Sequence, residues 1–157
     1  MPRRQRIAAV HLDEKTMVRR RPEVEHERAI AIYDIIEENH FAPVGDFHGP
    51  YCVTLSLSDN RLLFDIADDL GAHLVQVPLP LKQFQSLIKD YFMVCESYYD
   101  AIKKATPSQI EAIDMGRRGL HNEGSVLLRE RLAGKVDIDH DTARRLFTLI
   151  CVLHIRG

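Results

Sequence analysis

The sequence predicts an α+β fold, an antiparallel β-meander of three to four strands covered by a helical C-terminal half. Three observations predict it. Residues 51–58, YCVTLSLS, alternate Tyr51, Val53, Leu55 and Leu57 with Cys52, Thr54, Ser56 and Ser58. That is the period of a half-buried strand. RLLFDIA and AHLVQVPL follow, set off by turn signals at Asp59-Asn60 and Asp68–Gly71. Sequential strands joined by such short turns pair antiparallel. From Pro80 onward the apolar residues recur at helical spacing instead. A sheet with one apolar face must be covered, and these helices are the available cover.

Taken in order, residues 6–12, RIAAVHL, form a weak first strand whose membership of the sheet the pattern leaves open. The charged run TMVRRRPE connects it to a helix opening at Pro22, a residue suited to a first helical turn. Glu23, Glu25 and Glu27 sit near the positive end of that helix. Its expected core face is Ala29, Ile32, Tyr33 and Ile36, and Asn39 with FAPVGDFHGP ends it. After the strands, LKQFQSLIKDYFMVCESYYDAIKKA is read as a helix facing the core with Phe84, Ile88, Tyr91, Cys95, Tyr98 and Ile102. Thr106-Pro107-Ser108-Gln109 is a capping box with proline at the first helical position. The last helix starts near Asp139 or Asp141, and the apolar density of TARRLFTLICVLH makes it the most buried of the set.

A chain of 157 residues predicts one domain, residues 1–157. Lys and Arg total 21 against 23 acidic residues, for a net charge of -2, which disfavours a nucleic-acid partner. No apolar run is long enough to span a bilayer, and MPRRQRIAAVHLDEK lacks the apolar stretch of a signal peptide. Cys52, Cys95 and Cys151 are odd in number, far apart and set among apolar residues. They read as buried thiols of a reducing compartment, so the expected location is cytoplasmic.

One segment breaks the helical pattern that surrounds it. Gly116, Gly119 and Gly124 interrupt a helix that starts at Thr106, and each glycine costs about 1 kcal/mol relative to alanine. Close packing, a helix break or a binding site would account for them. In a continuous helix Arg117, His121 and Ser125 share a face, with Arg118 and Asn122 in the neighbouring row. These five residues are the candidate ligand-binding set, and a phosphate or carboxylate is the ligand that two arginines suit. The plainer reading, in which both arginines pair with Asp114 and the glycines serve helix packing, is preferred.

Other constellations are weaker. Glu23, His26 and Glu27 lie on one helical turn, too few ligands for a metal and better explained as an acidic first turn. Asp137, Asp139 and Asp141 alternate like a calcium loop, but Thr142 stands where such a loop needs glycine, and helix capping explains them better. The eight histidines form no paired-ligand motif, and no phosphate-binding loop or nucleophile elbow is present. No metal and no cofactor is therefore expected.

The phrases VEHERAIAIYDIIEEN, KDYFMVCESYYDAIKKATPSQIEAIDMGRRGLHNEGSVLLRERL and DTARRLFTLICVLHIRG resemble an uncharacterised family of small alphaproteobacterial proteins over nearly the whole chain. That resemblance implies a bacterial, cytoplasmic, single-domain protein and carries no activity or site residues. Two function classes follow. The first is a non-enzymatic interaction protein that self-associates or binds a protein partner, with the glycines admitting a neighbouring helix. The second is a protein, catalytic or not, that binds an anionic small molecule at Gly116–Ser125.

Overall fold

The three alternating segments pair in sequence order in the computed structural model, which describes residues 5–13 and 22–154. β3 (Tyr51–Ser58), β4 (Arg61–Asp68) and β5 (His73–Pro80) form the antiparallel meander. Their register sets Val53 against Ile66, Leu55 against Phe64 and Leu57 against Leu62, so the apolar residues share one face. Asp59 and Asn60 have φ of 50° and 62°, the paired positive values of the turn that matches strand twist. At the next turn the Asp68 carboxylate accepts from the amides of Leu70 and Ala72, both at 2.9 Å, and Gly71 supplies a φ of +89°.

The weak N-terminal pattern is a strand and does join the sheet. β1 (Ile7–Leu12) pairs parallel to β3, giving the order β1-β3-β4-β5. The meander is antiparallel, but the whole sheet is mixed, because β1 and β3 are separated by a helical crossover, as a parallel pair requires. That helix is α1 (Pro22–Glu37). Asn39, just beyond it, fastens β1: its Oδ1 accepts from the Ile7 amide at 2.7 Å, and its Nδ2 donates to the carbonyls of Ile7 at 3.0 Å and Ile35 at 2.6 Å. One side-chain amide thus ties a strand edge to a helix end.

A second, two-stranded sheet was not anticipated. β2 (Phe41–Pro43) pairs antiparallel with β6 (Val136–Ile138). It sits in what the sequence presents as a loop, because three residues are too few to establish an alternation. The Thr142 hydroxyl, fully buried, accepts from the His40 amide beside it at 3.0 Å.

The helices α2 (Lys82–Lys104), α3 (Pro107–Leu132) and α4 (His140–His154) follow. α2 packs on α3, α3 on α4 and α4 on both α1 and β3. α4 buries Ala143, Leu146, Phe147, Leu149, Ile150 and Cys151 among others, as its composition requires. The Asp139 carboxylate starts it by accepting from the Thr142 amide at 2.9 Å. The capping box at Thr106 is complete, and α3 then runs without a break through all three glycines.

Two helix faces differ from expectation. α1 buries Val24, Ala31 and Ile35, while Tyr33 is 64% exposed and Ala29, Ile30 and Ile36 also face out. The run AIAIYDII is apolar almost all round the helix, so spacing alone does not select a face, and packing on α4 and β1 does. Near the end of α2, Tyr99 and Ala101 are buried in place of Tyr98 and Ile102. The Tyr99 hydroxyl donates to Glu27 on α1 at 2.9 Å, a partner that lies outside the helix's own periodicity.

The three cysteines are free, with Cys95 and Cys151 buried. Burial pushes the Cys95 thiol up to about 11 and the Cys151 thiol well above its ordinary range, so neither is a nucleophile near neutral pH. Among the described residues no helix is long and apolar enough to cross a membrane.

Candidate anion-binding cleft

The unbroken course of α3 decides where the candidate residues point. Each residue advances 100° around a helix axis, so Arg117 and His121 stay on one side. That side faces α1 and α4 across an open cleft of about 370 Å³. α3 lines it with Arg117, Arg118 and His121, and α4 with Asp141, Arg144, Arg145 and Thr148. α1 contributes Glu27, Ile30, Ala31 and Asp34, and α2 contributes Tyr91.

Of the five candidates, three lie in this cleft and two do not. Ser125 is fully buried, and its hydroxyl donates to the His121 carbonyl at 2.7 Å, one turn back in the same helix. Asn122 is exposed on the outer side of α3 and does not line the cleft. The glycines divide in the same way. A methyl group added at Gly116 or Gly119 would meet nothing within 4 Å, whereas one at Gly124 would stand 2.2 Å from Cζ of Phe147. Close packing therefore explains Gly124 within the chain and does not explain the other two.

The arginines have different employments. Arg117 is only 25% exposed and holds Asp114 through Nη2 at 2.7 Å and Nε at 3.2 Å. It also lies 3.8 Å from Glu27 and 5.0 Å from the centre of the Tyr98 ring. Its hydrogen bond, with the charges of both arginines, holds the Asp114 carboxyl below the ordinary carboxylate range. Arg118, 72% exposed, reaches the other oxygen of Asp114 at 2.9 Å. Arg145 donates to the carbonyls of Asp34 at 3.3 Å and Glu38 at 2.8 Å, closing the C-terminal end of α1 from outside. Arg144 is exposed and forms no ion pair among the described residues. Its guanidinium is open to the cleft.

His121 stands at the base of this charge cluster. Its ring is wedged between Tyr91 and Phe147, each with its centre 5.5 Å away. Nε2 meets the Thr148 hydroxyl at 2.7 Å, and that hydroxyl also lies 3.2 Å from the Arg144 carbonyl, which accepts its proton in the tautomer protonated at Nε2. Nδ1 is buried and has no hydrogen-bond partner among the described residues. Burial, and then the charges of Arg144, Arg117 and His140, pull its pKa down to about 4. The imidazole is neutral near pH 7, held so by burial first and by the neighbouring charge of Arg144 next.

Sequence spacing presents Arg144, Arg145 and Thr148 only as parts of a buried helix, and Tyr91 as core. A second Arg-Arg pair in TARRLF was the available signal. Arg144 and Thr148 share the one-turn spacing of Arg117 and His121, and α3–α4 packing makes the two rows meet. Glu27, which the sequence presents as part of a solvated acidic turn, is instead the partner of Tyr99 and Arg117. Among the described residues no group of three or more His, Cys, Asp or Glu is placed to hold a metal ion.

Comparison with known proteins places the chain without adding a chemistry. Residues 4–156 match an uncharacterised protein family, UPF0262. A UPF0262 protein of Paramagnetospirillum magneticum is 71% identical over 157 residues, all of both chains. One from Rhodospirillum rubrum is 66% identical over 94% of this chain and 91% of its own. One from Rhizobium etli is 59% identical over 97% of this chain and 96% of its own. No solved structure matches the chain. With the family match running over nearly every residue and full-length relatives this similar, the chain belongs to the UPF0262 family of bacterial proteins.

Proposed function

We propose that this protein binds a small anionic ligand, through a phosphate or carboxylate group, in the cleft between α1, α3 and α4. The observation that carries the reading is Arg144, an exposed guanidinium in a concave site with no carboxylate partner among the described residues. Arg118 stands in the same cleft with most of its side chain in solvent, and Thr148 adds a hydroxyl. A guanidinium presents a planar fork that two oxygens of an oxyanion match, and such charge-assisted bonds contribute about 1.5–3 kcal/mol each. Arg117, tied to Asp114, Glu27 and Tyr98, supports the wall and is not the ligand's arm.

Calorimetric titration of inorganic phosphate at low ionic strength tests this. Arg144→Ala is expected to weaken binding at least tenfold, with a change in Tm no larger than a degree or so, since an exposed unpaired side chain contributes little to stability. Equal phosphate affinity in the wild type and Arg144→Ala would refute the reading.

A second reading, self-association, keeps one specific observation. The outward side of α3 carries Ala112, Met115, Gly116, Gly119 and Val126, all exposed, with open space over both glycines. Such a surface admits another helix closely. On this reading light scattering gives a dimer mass that Gly119→Leu converts to a monomer mass. A monomer in the wild type counts against it.

A further inference from the structure

The cleft carries uncompensated groups of both signs, and this sets the class of ligand if the anion-binding reading holds. α3 and α4 bring Arg117, Arg118, Arg144 and Arg145 to it. Three carboxylates share the cleft, Glu27 and Asp34 on α1 and Asp141 on α4 itself, and two of them meet no arginine side chain among the described residues. Glu27 is engaged by Arg117 and Tyr99. Asp34 on α1 and Asp141 in the first turn of α4 line the same cleft with no side-chain ion pair or hydrogen bond among the described residues. Arg145 reaches the Asp34 residue, but it bonds the backbone carbonyl and leaves the carboxylate.

Unused donors and unused acceptors thus share one concavity. A ligand of a single sign gains from one set and is opposed by the other, because Coulomb terms strengthen where water is reduced. Size points the same way. At about 30 Å³ per water in the liquid, an open cleft of about 370 Å³ holds roughly a dozen waters, well beyond the space a lone phosphate ion fills. Ile30 and Ala31 of α1, one of them 45% exposed, add an apolar strip beside Asp34.

We propose that the ligand is a zwitterion, a short aliphatic molecule with its carboxylate or phosphate on Arg144 and Arg118 and an ammonium group on Asp34. The apolar strip lies along its methylene chain. Arg118 and Arg144 set affinity for the anionic end, and Asp34 is the residue that distinguishes a zwitterion from a plain acid.

The proposal is tested by titrating the full chain with ε-aminocaproate, caproate and adipate, which share a chain length and differ in the far group. Wild type is expected to bind ε-aminocaproate at least tenfold tighter than caproate, and adipate no better than caproate. Asp34→Asn is expected to bring ε-aminocaproate down to the caproate level. Asp34→Glu, which keeps the charge, should retain the preference, and circular dichroism confirms that both variants fold. Caproate or adipate binding as tightly as ε-aminocaproate overturns the zwitterion while leaving an anion site. So does a wild type that responds to phosphate and to none of the three. If Arg144→Ala leaves every affinity unchanged, the anion-binding reading falls as well.

Discussion

Gly124→Ala is expected to destabilise the protein by about 2 kcal/mol, while Gly116→Ala and Gly119→Ala each stabilise it by about 0.5–1 kcal/mol. All three sit in one continuous helix, where alanine is intrinsically favoured, so propensity alone predicts three gains. Surroundings reverse the sign at one of them. The new methyl at Gly124 would fall 2.2–2.5 Å from three atoms of the Phe147 ring, and that ring is fully buried, with His121 and Tyr91 against it. Neither the ring nor α3 moves away without disturbing the α3–α4 interface, and overpacking of this kind costs about 1–3 kcal/mol. For a domain of this length the loss corresponds to a fall in Tm of roughly 4–8 °C. Phe147→Leu creates room, so the double variant should show a favourable coupling of about 1–2 kcal/mol in urea unfolding. Additive losses would show that the ring is not what excludes the side chain. At Gly116 and Gly119 the opposite outcome is informative: if alanine at either site loosens an assembly and lowers Tm, the outer side of α3 is an interface.

Acid is expected to weaken the fold through His121. The sign follows from proton binding: the unfolded chain holds its histidine at the ordinary value of 6.5, and the folded one at about 4. Between these values the unfolded state binds more protons, so stability is level above about 6.5 and falls as pH drops toward about 4. At about 1.4 kcal/mol per pH unit the loss reaches about 3 kcal/mol at the lower limit, a large part of a typical stability. His121→Gln keeps a polar side chain of similar reach without a titration in this range. Its unfolding free energy should depend less on pH than the wild type's, by about 2 kcal/mol between pH 6.5 and 5. Parallel pH profiles would mean that the folded imidazole titrates normally. Because Arg144 and Arg117 contribute to the depression, an anion bound beside them should relieve part of it.

What the sequence reveals and what it hides divides along one physical line. The meander was legible because Asp59-Asn60 and Asp68–Gly71 fix its turns locally and the alternation fixes its faces. The Thr106 cap and the Asp139 start of α4 were legible for the same reason, since each bond closes within four residues. The parallel pairing of β1 depends on Asn39 and a crossover, and the β2–β6 pair joins segments almost a hundred residues apart. No local period carries either. The cleft is a third case. Arg117, Arg118 and His121 were found as a helix face, but Arg144 and Thr148 acquire meaning only where α4 crosses α3. Ser125 shows the complementary error: it lies one turn beyond His121 on the same side, yet at that level the side faces the α4 core.

The most direct measurement is a heteronuclear NMR titration with inorganic phosphate, following the His121 ring and the Arg144 guanidinium at low ionic strength. Both signals should move together and saturate, and the His121 pKa should rise above about 4 as the arginine field is cancelled, with burial still holding it below its ordinary value. The contrary result is saturable phosphate binding that leaves both signals still and moves only basic residues outside the cleft, such as Lys103 and Lys104 at the end of α2.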